Sequence, residues 1–200
     1  LQVAETVQQL LRERSNDDSV AVKHDGQTWT WREHLSAAAG QAAALIGIAD
    51  PRRPLHVGAL LGNTPDMLTT MAAAGLGGCV LCGINNTRRG DSLARDIRRA
   101  DCQILVTDDH HLALLDGLDL AGVQVLVVGS PEWKELTARA GLLTPHREAA
   151  ATDTSMLIFT SGTSGDPKAV QIMDAMVLLA GAALAARYEL TPEDVSRTAR

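Results

Sequence analysis

Short apolar runs recur along the chain at residues 55–61, 79–83, 104–107, 123–128 and 156–159. Each is the length of a strand, and Gly, Pro, Asn, Asp or Ser stands close to its ends. Continuous runs of this kind predict strands buried on both faces. Stretches of helical length lie between several of them. Gly62-Asn63-Thr64-Pro65 turns into a helix that ends near Gly77-Gly78, and residues 90–100 form an amphipathic helix. Such alternation predicts an α/β fold, a mostly parallel sheet flanked by helices. Upstream, Val3, Val7, Leu10 and Leu11 make one stripe of a first helix. Residues 19–23 and 28–31 flank His24-Asp25-Gly26-Gln27, a hairpin signal through Asp-Gly. This reading puts Trp29 and Trp31 on one face of the second strand. An alanine-rich helix over 32–46 follows. Residues 131–140 read as helical and 144–154 as irregular.

The chain has 200 residues, enough for one domain or for one domain and part of another. Its hydrophobic fraction, 46%, supports a sizeable core. A net charge of −6 argues against bulk nucleic-acid binding. Three cysteines make no disulfide framework and point to a reducing, cytoplasmic setting. Residues 1–10 lack the apolar core of a signal peptide. The longest apolar run, 175–186, is shorter than the roughly 20 residues that span a bilayer.

The chemistry concentrates in Thr160-Ser161-Gly162-Thr163-Ser164-Gly165-Asp166-Pro167-Lys168. Glycines let consecutive N–H groups turn inward as an anion nest. The hydroxyls add donors and Lys168 adds a positive charge. A polyphosphate suits this set, although a Gly/Ser turn with nothing bound shares the composition. The loop is not the G-x-x-x-x-G-K-[ST] type, because Ala169 follows the lysine and no helix opens there. Residues 169–173 read as a second strand, and Asp174 as the N-cap of a helix over 175–187. The unit is strand–loop–strand–helix.

This loop resembles the phosphate-binding loop of the adenylate-forming superfamily, which includes acyl-CoA synthetases, amino-acid adenylation domains and luciferases. That pattern runs Thr-Ser-Gly-Thr-Thr/Ser-Gly-x-Pro-Lys-Gly. Thr160 to Lys168 match, with Asp166 at the free position, and Ala169 replaces the last Gly. The likeness extends along the chain. Thr28-Trp29-Thr30-Trp31-Arg32-Glu33-His34-Leu35 is similar to the start of the superfamily's first large helix, and Gly62-Asn63-Thr64-Pro65-Asp66 to its strand–turn signature. Gly83-Ile84-Asn85-Asn86-Thr87-Arg88-Arg89-Gly90, with Leu93, resembles the long-chain and very-long-chain fatty acyl-CoA synthetase and fatty-acid transport protein branch.

The resemblance implies ATP-dependent activation of a fatty acid to an acyl-adenylate, followed by transfer to CoA. It implies ATP and CoA as co-substrates, Mg²⁺ as cofactor and a fatty acid as substrate. It assigns Thr160, Ser161, Gly162, Thr163, Ser164, Gly165 and Lys168 to phosphate binding, and Thr160 also to Mg²⁺. It identifies residues 1–200 as the N-terminal portion of the AMP-binding large domain. The superfamily's ribose-holding aspartate, Mg²⁺-linked glutamate, hinge and C-terminal lid lysine match nothing here. The chain therefore reads as a fragment inactive alone, with an exposed sheet edge, apolar faces such as Val177-Leu178-Leu179, and a tendency to self-associate. No catalytic residue is assigned. Peripheral membrane contact fits the substrate, whereas a membrane-spanning segment and nucleic acid do not. Two alternatives remain: a non-catalytic fragment or interaction module, and an amino-acid or aryl-acid adenylation domain.

Three other clusters invite a chemical reading. Cys79-Val80-Leu81-Cys82 is a CxxC, but no second pair completes a metal site, and in a strand the two sulfurs face opposite sides. His110-His111, after Asp108-Asp109, reads as a solvated turn. Arg88, Arg89, Arg95, Arg98 and Arg99, beside Asp91 and Asp96, read as a solvated, salt-bridged helix face.

Overall fold

A computed structural model of the chain describes residues 4–160, 168–191 and 194–195, with the side chain of Thr160 outside that set. The elements run α1 (Val7–Glu13), β1 (Val20–His24), β2 (Gln27–Thr30), α2 (Trp31–Ile48), β3 (His56–Leu60), α3 (Pro65–Gly77), β4 (Val80–Gly83), α4 (Gly90–Arg99), β5 (Ile104–Thr107) and α5 (Asp109–Leu112). Then come β6 (Gln124–Val127), α6 (Pro131–Ala138), β7 (Thr154–Thr160), β8 (Lys168–Met173) and α7 (Asp174–Arg187). The main sheet has six strands in the order β6-β5-β3-β4-β7-β8. Five are parallel, and only β8 runs antiparallel, against β7. The expected α/β class is therefore what forms.

Because both faces of the sheet must be covered, its strands carry apolar residues at successive positions, and these divide between two cores. On one face Val57, Leu81 and Ile104 pack with Leu45 of α2, Ala74 of α3 and Leu136 of α6. On the other, Leu60, Val80 and Leu105 pack with Leu93 and Ile97 of α4 and with Leu115. Burying side chains such as Leu93 and Ile97 contributes about 1.5–3 kcal/mol each. The chain leaves β3 through α3 to reach β4, then returns through α4 to β5 on the far side of β3. The strand order thus reverses beside β3, and open α/β sheets bind ligands outside the carboxyl ends of their strands at such a point.

Helices α2 and α3 meet through small residues, Ala38 and Ala42 against Ala72 and Ala73. One buried polar pair crosses near them, Gln41 Nε2 donating to Thr70 Oγ1 at 2.9 Å. Thr30 caps α2: its hydroxyl accepts the Glu33 N–H at 3.2 Å, and the Glu33 carboxylate accepts the Thr30 N–H at 2.8 Å. This capping box ends β2 at Thr30. Trp31 is therefore the first helical residue and not a strand partner of Trp29. The hairpin before it turns through Asp25 (φ 46°) and Gly26 (φ 79°), as Asp-Gly predicts.

The C-terminus of α3 is a second fixed point. Gly78 adopts φ 64° and closes the helix, its N–H donating to the Ala74 and Gly75 carbonyls. The segment 146–149 packs over it, with the His146 N–H donating to Gly77 O at 2.8 Å. Gln8, buried in α1, ties the same parts together. Its Nε2 donates to Leu76 O at 3.0 Å and Arg147 O at 3.1 Å, and its Oε1 accepts the Ala149 N–H at 3.0 Å.

Asp174 departs from its expected role. It is the first residue of α7, with Met173 at the cap position, and its carboxylate accepts the Val7 N–H at the start of α1. An acceptor facing the orphan donors of another helix serves the same need as a local cap. Burial raises the Asp174 pKa from its ordinary value.

Candidate functional site

In sequence, the Gly/Ser-rich stretch joins β7 to β8. The apolar residues of β7 hold that strand in the sheet, with Gly83 of β4 opposite Ile158 on one side. On the other side the antiparallel register runs Ile158↔Val170, Phe159↔Ala169 and Thr160↔Lys168. Thr160 and Lys168 are thus direct cross-strand partners, their Cα atoms about 4.5–5.5 Å apart as in any antiparallel pair. Residues 161–167 join them, so Ser161, Gly162, Thr163, Ser164 and Gly165 lie outside the described residues, as does the Thr160 side chain. Lys168 is exposed, and among the described residues no carboxylate pairs with it. By composition, an ammonium next in sequence to hydroxyls and glycines is a donor set that fits an anion. The two expected strands are present, the second beginning one residue earlier, at Lys168.

The chain leaving β4 lies next along the same end of the sheet. There the structure assembles a cluster that sequence reading missed. The Asp108 carboxylate accepts the His111 main-chain N–H at 2.8 Å and faces His111 Nδ1 at 2.7 Å. Nδ1 therefore carries a proton, which leaves Nε2 to accept from Asn86 Nδ2 at 3.3 Å. Asn86 Nδ2 also reaches Leu61 O at 3.4 Å. Although burial pushes the Asp108 carboxyl up, the hydrogen bonds from His111 bring it below its ordinary value. The group ties the chain leaving β3, β4 and β5 into one plate beside the hairpin. This corrects the solvated-turn reading: His110 is exposed, but His111 is buried. The available signal was an Asp three residues before a His at a strand end, an N-cap spacing; the contribution of Asn86 had none.

The arginine segment divides. Arg89 Nη1 folds back onto the carbonyls of Asn86 at 2.8 Å and Arg88 at 2.7 Å, and Arg98 Nη1 reaches Asp119 O at 3.2 Å. Arg95, Arg98 and Arg99 face solvent, as expected. Asp96 does not: it is 1% exposed, and Arg88 Nε stands 3.4 Å from its carboxylate. Among the described residues, neither oxygen of that carboxylate has a hydrogen-bond partner. Burial raises its pKa against the pull of the arginines.

Cys79 packs in the core on one face of the sheet, and Cys82 and Cys102 in the core on the other. The two sulfurs of the CxxC therefore point apart. Burial pushes the Cys79 thiol up to about 12, and a hydrogen bond with Cys102 followed by burial raises Cys82. Among the described residues no group of three or more His, Cys, Asp or Glu is placed to hold a metal ion. No helix among them is long and apolar enough to cross a membrane.

β8 is an edge strand of the sheet among the described residues. Val170 and Met173 on β8, and Met176, Leu179 and Leu184 on α7, are exposed apolar side chains. Of the expected face 177–179, Leu179 is 70% exposed, whereas Val177 and Leu178 are half-buried.

Comparison with known proteins gives a consistent picture. The family model described as AMP-binding enzyme matches residues 11–198. A medium/long-chain-fatty-acid–CoA ligase, FadD17 of Mycobacterium marinum, is 40% identical over 191 residues, which is 95% of this chain and 37% of that protein. A steroid-22-oyl-CoA synthetase of Rhodococcus jostii is 37% identical over 95% of this chain and 35% of its own length. The chain thus spans little more than a third of these relatives. Among solved structures, VinN in complex with 3-methylaspartate superposes with a TM-score of 0.80 at 23% identity, over 94% of this chain and 53% of that one.

Proposed function

Given that the chain belongs to the AMP-binding enzyme family, we propose that it is the phosphate-gripping part of a fatty-acid–CoA ligase. The observation that carries this reading is the pairing of Thr160 with Lys168 across the hairpin that bears the Gly/hydroxyl loop. The relatives named as fatty-acid–CoA ligases support the choice of acid. In the reaction, a carboxylate attacks the α-phosphate of ATP, pyrophosphate departs, and the CoA thiol then displaces AMP. Negative charge gathers on phosphate oxygens, so the work of the chain is positioning and electrostatic stabilisation.

Lys168 holds the departing β- and γ-phosphates with the loop N–H groups of Ser161 to Gly165. By its place in the motif, Thr160 would help hold Mg²⁺ through its hydroxyl, and the ion would offset phosphate charge. The plate formed by Asn86, His111 and Asp108 keeps the neighbouring strand ends rigid. The residues assigned here serve the pyrophosphate side of the site. The open β8 edge and the apolar surface of α7 favour self-association. Free, buried cysteines fit a cytoplasmic setting.

The test is ATP–pyrophosphate exchange in a version carried to the full length of the relatives, with fatty, amino and aryl acids in parallel. Exchange driven by fatty acids supports the reading, and exchange driven by amino or aryl acids replaces it with an adenylation domain. Failure with every acid favours a non-catalytic module. In the active form, Lys168→Ala removes a charge-assisted contact worth about 1.5–3 kcal/mol and weakens MgATP use about 10- to 150-fold. Unchanged ATP kinetics would remove Lys168 from the site.

A further inference from the structure

The side chains that join the ends of β3, β4 and β5 admit one consistent set of proton positions. The Leu61 carbonyl can only accept, so at 3.4 Å it fixes Asn86 with Nδ2 toward it. The same Nδ2 stands 3.3 Å from His111 Nε2, and a carboxamide nitrogen only donates. Nε2 is therefore bare, and the ring proton sits on Nδ1, which faces Asp108 Oδ1 at 2.7 Å. A carbonyl just after β3 thus dictates the tautomer of a ring just after β5, through an amide in the turn that leaves β4.

This arrangement holds for a neutral ring alone. A protonated imidazole donates from both nitrogens, so its Nε2–H would meet the Asn86 amide donor to donor. Turning the amide over does not resolve the conflict, because Oδ1 would then face Leu61 O, acceptor to acceptor. Nor has the ring room to swing away. His111 is 9% exposed, and a Cβ added at Gly62 would stand 3.6 Å from its Cε1. Asp108 acts in the opposite sense. Burial pushes its carboxyl up, but the hydrogen bonds from His111 hold it below its ordinary value, so it stays ionised while the ring takes up a proton. Around this pair stand the His110 ring, 4.8 Å away and edge-on, and Asp66 of α3. Burial and then Asp108 raise the Asp66 pKa, while His24 of β1 lowers it.

We propose that Asn86, His111 and Asp108 form a proton-operated switch at the strand ends. Uptake of one proton by His111 strengthens its bond to Asp108 and releases Asn86 from both His111 and Leu61, which loosens the turn leaving β4 from the chain leaving β3. Histidine is the side chain that ordinarily changes charge between pH 5 and 8. β4 also pairs with β7, the strand that leads to Thr160, so the loosened turn borders the phosphate-binding segment. The inference rests on the plate's own geometry and stands whether or not the chain is part of a ligase.

NMR of the ¹⁵N-labelled chain between pH 5 and 8 tests it. At the upper end the His111 nitrogens should report the Nδ1–H tautomer. As the ring titrates, the Asn86 side-chain NH₂ signals should shift with the same midpoint. Those of Gln41, which is bonded to Thr70 in the α2–α3 contact, should stay in place. Asn86→Ala removes the donor that opposes the charged ring and should raise the His111 midpoint by about 0.4–1.1 pH units, the equivalent of one hydrogen bond. Asn86→Asp, which offers an acceptor and a charge, should raise it further. Asn86→Ala should also lower the melting temperature at pH 8 and leave it unchanged at pH 5, where the parent has already let the amide go. Four results would each overturn the proposal: an Nε2–H tautomer at pH 8, a ring still neutral at pH 5, Asn86 signals that ignore the titration, or a His111 midpoint unmoved by Asn86→Ala.

Discussion

Replacing Gly78 by alanine tests how tightly the end of α3 is built. Gly78 sits at φ 64°, where a side chain costs about 1–2 kcal/mol. An added Cβ would also stand 2.2 Å from the carbonyl oxygen of Arg147 and 3.1 Å from its carbon. These are main-chain atoms and cannot swing aside. The Arg147 carbonyl is held by Gln8 Nε2, and the segment is anchored next door by the His146 N–H on Gly77 O. Backing away strains or breaks those bonds, an overpacking cost of about 1–3 kcal/mol. Together the two effects predict a loss of about 2–5 kcal/mol for Gly78→Ala. Gly26 is the control, because it has φ 79° and nothing within 4 Å of its added Cβ. Gly26→Ala should lose only the conformational part, about 1–2 kcal/mol. Urea denaturation of both variants at constant m measures the difference. If the two fall within about 0.5 kcal/mol of each other, the Arg147 contact does not constrain the fold, and the packing argument is wrong.

The remaining expectations concern other buried groups. Gln8→Ala should cost about 2–4 kcal/mol in the same assay, because it strands two carbonyls and an N–H; a loss under about 1 kcal/mol would show that water replaces the clasp. For Asp96, whose folded pKa is raised, the associated stability is present below the ordinary carboxylate pKa and is lost as pH rises through the folded value. Asp96→Asn should therefore melt higher relative to the parent at pH 7 than at pH 4, and parallel melting curves across that range would refute the burial argument. Cys79, pushed up to about 12, should resist alkylation at pH 7–8 until the chain unfolds, whereas labelling of the native chain within minutes would contradict it. Stoichiometric zinc that disappears in a Cys79→Ala/Cys82→Ala variant would overturn the opposite-face placement.

The sheet was legible because its strands are continuous apolar runs. The residues of β5 were expected as a strand over the same range in which they form one, and β3, β4 and β6 differ by a residue or so at their ends. Helix starts were less legible. Trp31 has high strand propensity, but the capping box of Thr30 and Glu33 closes at close range and decides the boundary. At Asp174 the reverse happened: a residue of the type that caps its own helix turned to the N–H of Val7, a partner that only the folded chain brings near. The hairpin carrying Thr160 and Lys168 was readable because its chemistry is contiguous. The plate was only half readable: Asp108 and His111 stand at an N-cap spacing after β5, but Asn86 leaves β4 and no spacing records its meeting with them.

The position of α1 has a consequence for the order in which the chain matures. A helix of seven residues has little stability by itself. What holds this one lies far downstream: Leu76 and Arg147 through Gln8, and Asp174 through the N–H of Val7. On a ribosome adding about 5–20 residues per second, α1 waits roughly 10–30 s for the last of these partners to be made. Leu11 can pack against α2 and α3 well before then, but the acceptor for the Val7 N–H arrives only with Asp174. The N-terminal end of α1 is thus fixed late, and its closure reports that the residues up to Asp174 have arrived.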